Sequence, residues 1–155
     1  FAGAVDAAQL MANSAKKAGI DIEVIREPID GYWSNVWNND AKGWCACYWG
    51  GRPAETMMFS AAYVAESKWN DTMWKTTDSA VKFNQLVKDA RKELDESKKR
   101  DILYECQRLI YDDGGLLCPL FNSYVSANSK KIAHGKIAAN WDSDGAKCVE
   151  RWWFA

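Results

Sequence analysis

One pattern occurs twice along the chain and constrains the fold more than any other feature of the sequence. In its first occurrence, Gly19 ends an amphipathic helix, and residues 20–25 then alternate with period two. In its second occurrence, Gly114 and Gly115 end another amphipathic helix, and residues 116–121 are typical of a strand. Helices that alternate with strands in this order predict an α/β fold.

Local signals predict the remaining helices. Helix starts are predicted at four aspartates, namely Asp6, Asp30, Asp78 and Asp95. A further short helix is predicted over residues 55–63, followed by a polar loop over residues 66–77. Apolar residues at helical spacing predict the buried sides of the two long helices: Val81, Phe83, Leu86, Val87, Ala90 and Leu94 in one, and Ile102, Leu103, Cys106, Leu109 and Ile110 in the other.

The segment from Trp44 to Tyr48 is uniformly apolar or small, as in a buried strand. It leads directly into residues 49–53, where two glycines and a proline predict a sharp, irregular loop. Ligands of open α/β sheets lie at the carboxyl ends of strands. We therefore expect ligand contacts in this part of the chain.

Composition and charge exclude several classes of protein. Hydrophobic residues make up 48% of the chain and charged residues 26%, which is typical of a globular protein. The 20 basic and 21 acidic side chains nearly cancel, so the sequence offers no basic field for nucleic acid or for an anionic membrane. No apolar run approaches the roughly 20 residues that a membrane-spanning helix needs.

The nine tryptophans are the strongest compositional anomaly. A tryptophan buries a large area and needs a partner for its indole N–H, so packing in a core or an interface is one interpretation. A ligand cleft with aromatic walls is the other. Both interpretations remain open for each tryptophan at this stage.

Catalytic signals are weak. His134 is the single histidine, so a nucleophile paired with histidine has one available base. Cys45 and Cys47 form a C-x-C pair whose side chains share one face of a strand, but the sequence supplies no second pair of metal ligands. We interpret Asp142-Ser143-Asp144-Gly145 as an ordinary turn, since the other ligands of a calcium loop are missing. The sequence predicts no catalytic activity, no metal and no cofactor.

The chain has five cysteines, an odd number, so at least one of them is a thiol or pairs outside this sequence. Cys106 is predicted to lie in a helix core and Cys118 in a strand core, because buried thiols are common.

The order of these features resembles the family 5 solute-binding proteins, which are the dipeptide- and oligopeptide-binding receptors of ABC importers. The first matching segment is the helix end and strand over residues 16–24. The second is a pair of helices that carries Phe83 to Val87 with Ala90, and then Lys99-Arg100 with Tyr104, Gln107 and Ile110. The third is the strand over residues 117–121.

The resemblance implies a periplasmic-binding-protein type II-like fold and a function in transport, not in catalysis. Residues 1–123 are then expected to belong to the second lobe, and residues 124–155 to return to a first lobe whose remainder lies outside this sequence. The expected location is periplasmic. The expected partners are a small-molecule or peptide ligand, which the lobes enclose, and the membrane permease of the importer.

The resemblance also implies a set of ligand-binding residues. Peptide-binding members of the family carry an aspartate in a W-x-x-D pattern, and Cys47 occupies that position after Trp44. A neutral thiol lacks the charge-assisted bond that a carboxylate gives to an ammonium group. Arg52 would suit an anionic group of the ligand. The full set of predicted ligand-binding residues is Trp44, Cys47, Trp49, Arg52, Trp69, Asn70 and Asn122.

Further interpretations remain open. Cys45 resembles a position that pairs, in some members of the family, with a cysteine further upstream. The tryptophans could instead form a carbohydrate-binding module, which requires several coplanar rings on an exposed surface, or the receptor could bind a non-peptide solute. A thiol enzyme would require Cys47 and His134 within hydrogen-bond reach of each other.

Overall fold

The computed structural model describes residues 3–39 and 43–155. The chain divides into an N-terminal unit, Phe1–Gly50, and a C-terminal unit, Gly51–Ala155. The helices of the N-terminal unit are α1 (Ala4–Lys16) and α2 (Tyr32–Asn35). The C-terminal unit contains α3 (Glu55–Ala62), α4 (Asp78–Lys92), α5 (Glu96–Asp113), β1 (Ile132–His134), α6 (Asp142–Ala146), α7 (Cys148–Arg151) and β2 (Trp152–Phe154).

Glycine in the left-handed conformation begins both helices of the N-terminal unit. Gly3 precedes α1 with φ 78°, and Gly31 precedes α2 with φ 80°, in each case without a side-chain cap. The predicted starts at Asp6 and Asp30 are therefore wrong, although both helices exist. The predicted stop at Gly19 is confirmed: Gly19 has φ 78°, and the Ile20 amide donates to the Ala15 carbonyl at 3.1 Å.

Side-chain caps begin the two long helices of the C-terminal unit. Thr77 Oγ1 accepts a hydrogen bond from the Ala80 amide at 3.2 Å, so α4 begins at Asp78 as predicted. Asp95 Oδ1 accepts a hydrogen bond from the Lys98 amide at 2.9 Å, which confirms Asp95 as the cap of α5. Helix α5 ends immediately before Gly114, as predicted.

The core of the C-terminal unit lies between α3, α4 and α5. Phe83 is fully buried, with its ring centroid 5.5 Å from that of Phe59 and 5.1 Å from that of Trp74. The prediction that Cys106 lies in the core is confirmed. Val81 and Leu94 are 60% and 92% exposed, so their predicted burial is wrong. The buried stripe of α4 consists of Ala80, Phe83, Val87 and Ala90, which excludes Val81, and the helix ends before Leu94.

Asp113 joins the end of α5 to the start of α4. Its Oδ2 accepts hydrogen bonds from Trp74 Nε1 and Thr77 Oγ1, each at 2.8 Å, and from Ser79 Oγ. These bonds hold the pKa of the Asp113 carboxyl below its ordinary value, with the Ser79 bond as the largest cause. The two helices consequently run antiparallel.

Asp113→Asn is expected to lower the melting temperature by roughly 3–8 °C, because an amide cannot replace all the bonds that the charged oxygen accepts. Asp101→Asn is the matched control, since Asp101 is exposed on the same helix. Thermal unfolding followed by circular dichroism measures both variants. Equal melting temperatures for the two would contradict the role of Asp113.

None of the three predicted strands is a strand in the structure. Residues 20–25, 44–48 and 116–121 have no strand assignment, and Cys118 is exposed, so its predicted place in a strand core is wrong. Within the described residues, no backbone hydrogen bond links 21–26 or 116–121 to a neighbouring segment. A strand requires backbone hydrogen bonds to a neighbouring strand. No described segment forms such bonds with residues 21–26 or 116–121. The α/β fold stays a prediction.

The last part of the chain forms a small sheet of two antiparallel strands. Ile132, Ala133 and His134 of β1 pair with Phe154, Trp153 and Trp152 of β2, respectively. Between the strands, residues 143–146 of α6 are all left-handed, with φ from 49° to 71°, so this element is a left-handed turn and not a regular α-helix. This turn points Asp144 inward, where its side chain is buried.

Candidate functional site

An aromatic cluster builds the middle of the N-terminal unit. Helix α2 carries Trp33, whose ring meets those of Trp37 and Tyr48 edge to face at centroid distances of 5.5 Å. Trp37 in turn meets Trp49 at 6.1 Å. Neighbouring rings of the cluster, which also includes Tyr32, stand at 65–84° to one another. This geometry is favourable for aromatic pairs because the edge of one ring meets the face of the next.

The segment 44–49 lies along this cluster. The Tyr32 hydroxyl donates a hydrogen bond to the Ala46 carbonyl at 2.8 Å. Burial alternates along the segment: Cys45, Cys47 and Trp49 are half-buried, whereas the residues between them are exposed. The predicted burial of the whole segment is therefore wrong, since Trp44 and Tyr48 are exposed. Cys45 and Cys47 do share one side, as their spacing predicted, and it is the more buried side.

The Tyr32 side chain is half-buried, and its hydroxyl interacts electrostatically with Cys45 and Cys47. Burial raises its pKa above the ordinary value of 10.0, and Cys45 and Cys47 raise it further. The hydroxyl is therefore a neutral donor at physiological pH. It holds the segment in place and supplies no base for activating a thiol.

Trp44 begins the segment, and its indole is more exposed than that of Trp49 at the other end. Its side chain is 66% exposed, whereas that of Trp49 is partly covered. The predicted ligand-binding residues Trp44, Cys47 and Trp49 thus lie on one segment that an aromatic cluster supports.

The other predicted ligand-binding residues lie in the C-terminal unit. Arg52 donates a hydrogen bond to the Gly51 carbonyl at 3.3 Å, and its guanidinium lies 5.6 Å from the centroid of the Trp141 ring. Trp69 is 45% exposed, with the Lys68 ammonium 4.7 Å from its ring centroid. Asn122 is exposed.

Asn70 anchors the loop that follows α3. It is 1% exposed, and its amide nitrogen donates to the carbonyl oxygens of Tyr63, Val64 and Trp74 at 3.0–3.3 Å. Both amide hydrogens are used within the loop, so its observed contacts are structural.

Sequence reasoning missed the supporting rings of Trp33, Trp37 and Tyr48 as parts of this site. Their signal was the spacing of four between Trp33 and Trp37, which places both rings on one side of a helical turn. Sequence reasoning also missed the partner of Arg52, Trp141, which is too distant in the chain for any local pattern to reveal.

Across residues 3–39 and 43–155, no three histidine, cysteine or acidic side chains lie close enough to hold a metal ion. His134 Nδ1 lies 2.8 Å from the Gly135 carbonyl, and its ring lies 5.0 Å from that of Trp152. Cys47 and His134 belong to different units.

Comparisons with known proteins found no match. No protein-family model matches the chain, and neither a curated protein nor a solved structure resembles it. Among the helices of the described residues, none has the length and apolar character needed to cross a membrane.

Proposed function

We propose that the chain is part of the solute-binding subunit of an ABC importer and works outside the cytoplasm. It captures a peptide or peptide-like solute as two lobes close, and the membrane permease of the importer is its partner. The support from the sequence is the ordered set of segments that resembles the family 5 solute-binding proteins.

The observation that carries the proposal is the construction of segment 44–49. Its exposed Trp44 offers an aromatic face, while the Tyr32 bond and the ring contacts of Trp49 hold the backbone behind it. A ligand then meets a preorganised surface and pays little ordering entropy. Cys47 adds no charge for an ammonium group, so aromatic contact is the main proposed attraction. Arg52 is the proposed partner of an anionic group.

Ring orientation favours this function over the carbohydrate-binding alternative. A platform for sugar rings needs several coplanar aromatic faces, whereas neighbouring rings of the cluster stand at 65–84°. A non-peptide solute fits the same receptor mechanism. Calorimetry and mass spectrometry of the bound solute distinguish it from a peptide.

Trp44→Ala is expected to weaken solute binding by about tenfold, because an exposed indole at the centre of a contact contributes disproportionately to affinity. The matched control is Trp153→Ala, since Trp153 is also exposed, at 54%, but lies on β2. Isothermal calorimetry with short peptides and oligosaccharides measures both variants. Equal weakening by the two substitutions would contradict a role for segment 44–49.

The two-lobe mechanism has a separate test. The full-length receptor is expected to retain a small solute on purification, which native mass spectrometry would identify as a peptide or another compound. The 155-residue chain alone is expected to bind that solute at least tenfold more weakly, since it supplies part of the cleft. Equal affinity of the two would contradict closure by two lobes.

A further inference from the structure

A groove runs between α3 and α4 in the C-terminal unit, next to the loop that Asn70 anchors. Its volume is about 390 Å³, and its lining includes Ser60, Val64, Glu66, Val87, Lys88 and Arg91. Lys88 and Arg91 are three residues apart on α4, so both side chains point to the same side of the helix. The volume lies within the range of small-molecule sites.

Arg91 has N–H donors in this groove that its bond to Ser60 does not use. Its Nη2 donates to the Ser60 hydroxyl, and within the described part of the chain it forms no ion pair with a carboxylate. A guanidinium carries five N–H donors, and its fork matches the two oxygens of a carboxylate.

Lys88 is held only loosely. Its Nζ lies 3.7 Å from Glu66 Oε1, and both side chains are more than half exposed. This distance is beyond that of a hydrogen bond, and exposed pairs of this kind contribute little. An anion on Arg91 can therefore also attract the Lys88 ammonium.

The charge and lining of the groove restrict the ligand. Lys88, Arg91 and Glu66 sum to a single positive charge, so the groove attracts anions, and the fork of Arg91 suits the two oxygens of a carboxylate. Half-buried Val64 supplies apolar surface beside the two cations, whereas Val87 is only 2% exposed and belongs to the core. We infer that this groove binds a small aliphatic monocarboxylate, with its carboxylate on Arg91 and Lys88 and its alkyl chain on Val64. This site goes beyond the proposed function and does not depend on it.

Titration of the ¹⁵N-labelled chain with butyrate tests the site. Amide signals of residues 60–67 and 84–91 are expected to shift with a dissociation constant on the order of millimolar, as the small size of the ligand dictates. Arg91→Gln is expected to weaken binding about tenfold. The matched control is Arg100→Gln, because Arg100 also bonds a serine hydroxyl, Ser97 Oγ at 3.4 Å, and is exposed outside the groove.

A variant with the opposite expected sign separates binding from damage to the fold. Glu66→Gln is expected to tighten butyrate binding several-fold, because it removes the charge that competes for Lys88. Butylamine is expected to cause no shifts. Equal affinities of the Arg91→Gln and Arg100→Gln variants, or butylamine binding as well as butyrate, would overturn the inference.

Discussion

Phe83→Ala is expected to lower the free energy of unfolding of the C-terminal unit by about 3–5 kcal/mol, the range for removing a buried phenylalanine. Phe83 is 0% exposed and packs between the rings of Phe59 and Trp74. Its removal leaves a cavity that neighbouring elements fill only in part, because rings fixed at the ends of α3 and the following loop cannot collapse inward.

Val81→Ala is the matched control for this substitution. Val81 lies on the same helix but is 60% exposed, so its loss is expected to cost less than about 0.5 kcal/mol. Urea unfolding followed by circular dichroism measures both variants, with the slope compared to detect changes in the unfolded state. A similar loss for the two substitutions would mean that the buried stripe of α4 is not the core.

Asp144→Asn is expected to loosen the end of the chain, residues 152–155, within the C-terminal unit. Asp144 Oδ1 accepts from the Ala138 amide at 2.6 Å and lies 3.0 Å from Arg151 Nη1, while Oδ2 accepts from Trp152 Nε1 at 3.0 Å. Three parts of the chain therefore meet at one buried carboxylate. Asparagine tolerates the left-handed backbone at this position, so the substitution removes the charge and one acceptor without adding strain.

The expected loss is roughly 5–15 °C in melting temperature, together with faster hydrogen exchange at the Ala155 amide. That amide donates to the Lys131 carbonyl at 2.9 Å and so reports on the pairing at the end of the chain. Asp142→Asn is the control, since Asp142 is exposed in the same turn. Unchanged exchange at Ala155 in the Asp144→Asn variant would show that other contacts hold the end of the chain.

At low pH, the Asp144→Asn variant and the original chain should have the same melting temperature. The Ala138 amide is the largest cause that holds the pKa of the Asp144 carboxyl below its ordinary 3.8, and Trp152 and Arg151 lower it further. A depressed pKa in the folded state stabilises the fold at higher pH, and this contribution is lost as pH falls below about 3.8 through the folded value. The two melting temperatures should therefore differ by a constant amount above about pH 5 and converge in acid.

The candidate site was partly predictable because some of its features, like the helix ends, depend on residues that are close together in the sequence. Alternation along residues 44–49 is a local property of an extended backbone, so the shared side of Cys45 and Cys47 follows from their spacing. Asn70 was included among the ligand-binding residues because of the resemblance to the solute-binding family, and no local pattern indicated its partners in the loop. Its three carbonyl partners are supplied by the path of the loop itself.

Taken alone, the sequence determined the long helices and several of their ends. Asp95, Gly19 and the Gly114-Gly115 pair act through bonds to residues a few positions away, so their effect is contained in the local pattern. Tertiary structure decided the rest. The segments at 20–25 and 116–121 are not strands because a ladder needs a distant neighbour. Asp113 became central because donors far away in the sequence converge on its carboxylate. Asp144 became central because the path of the chain end brings Ala138 and Trp152 to its buried side chain.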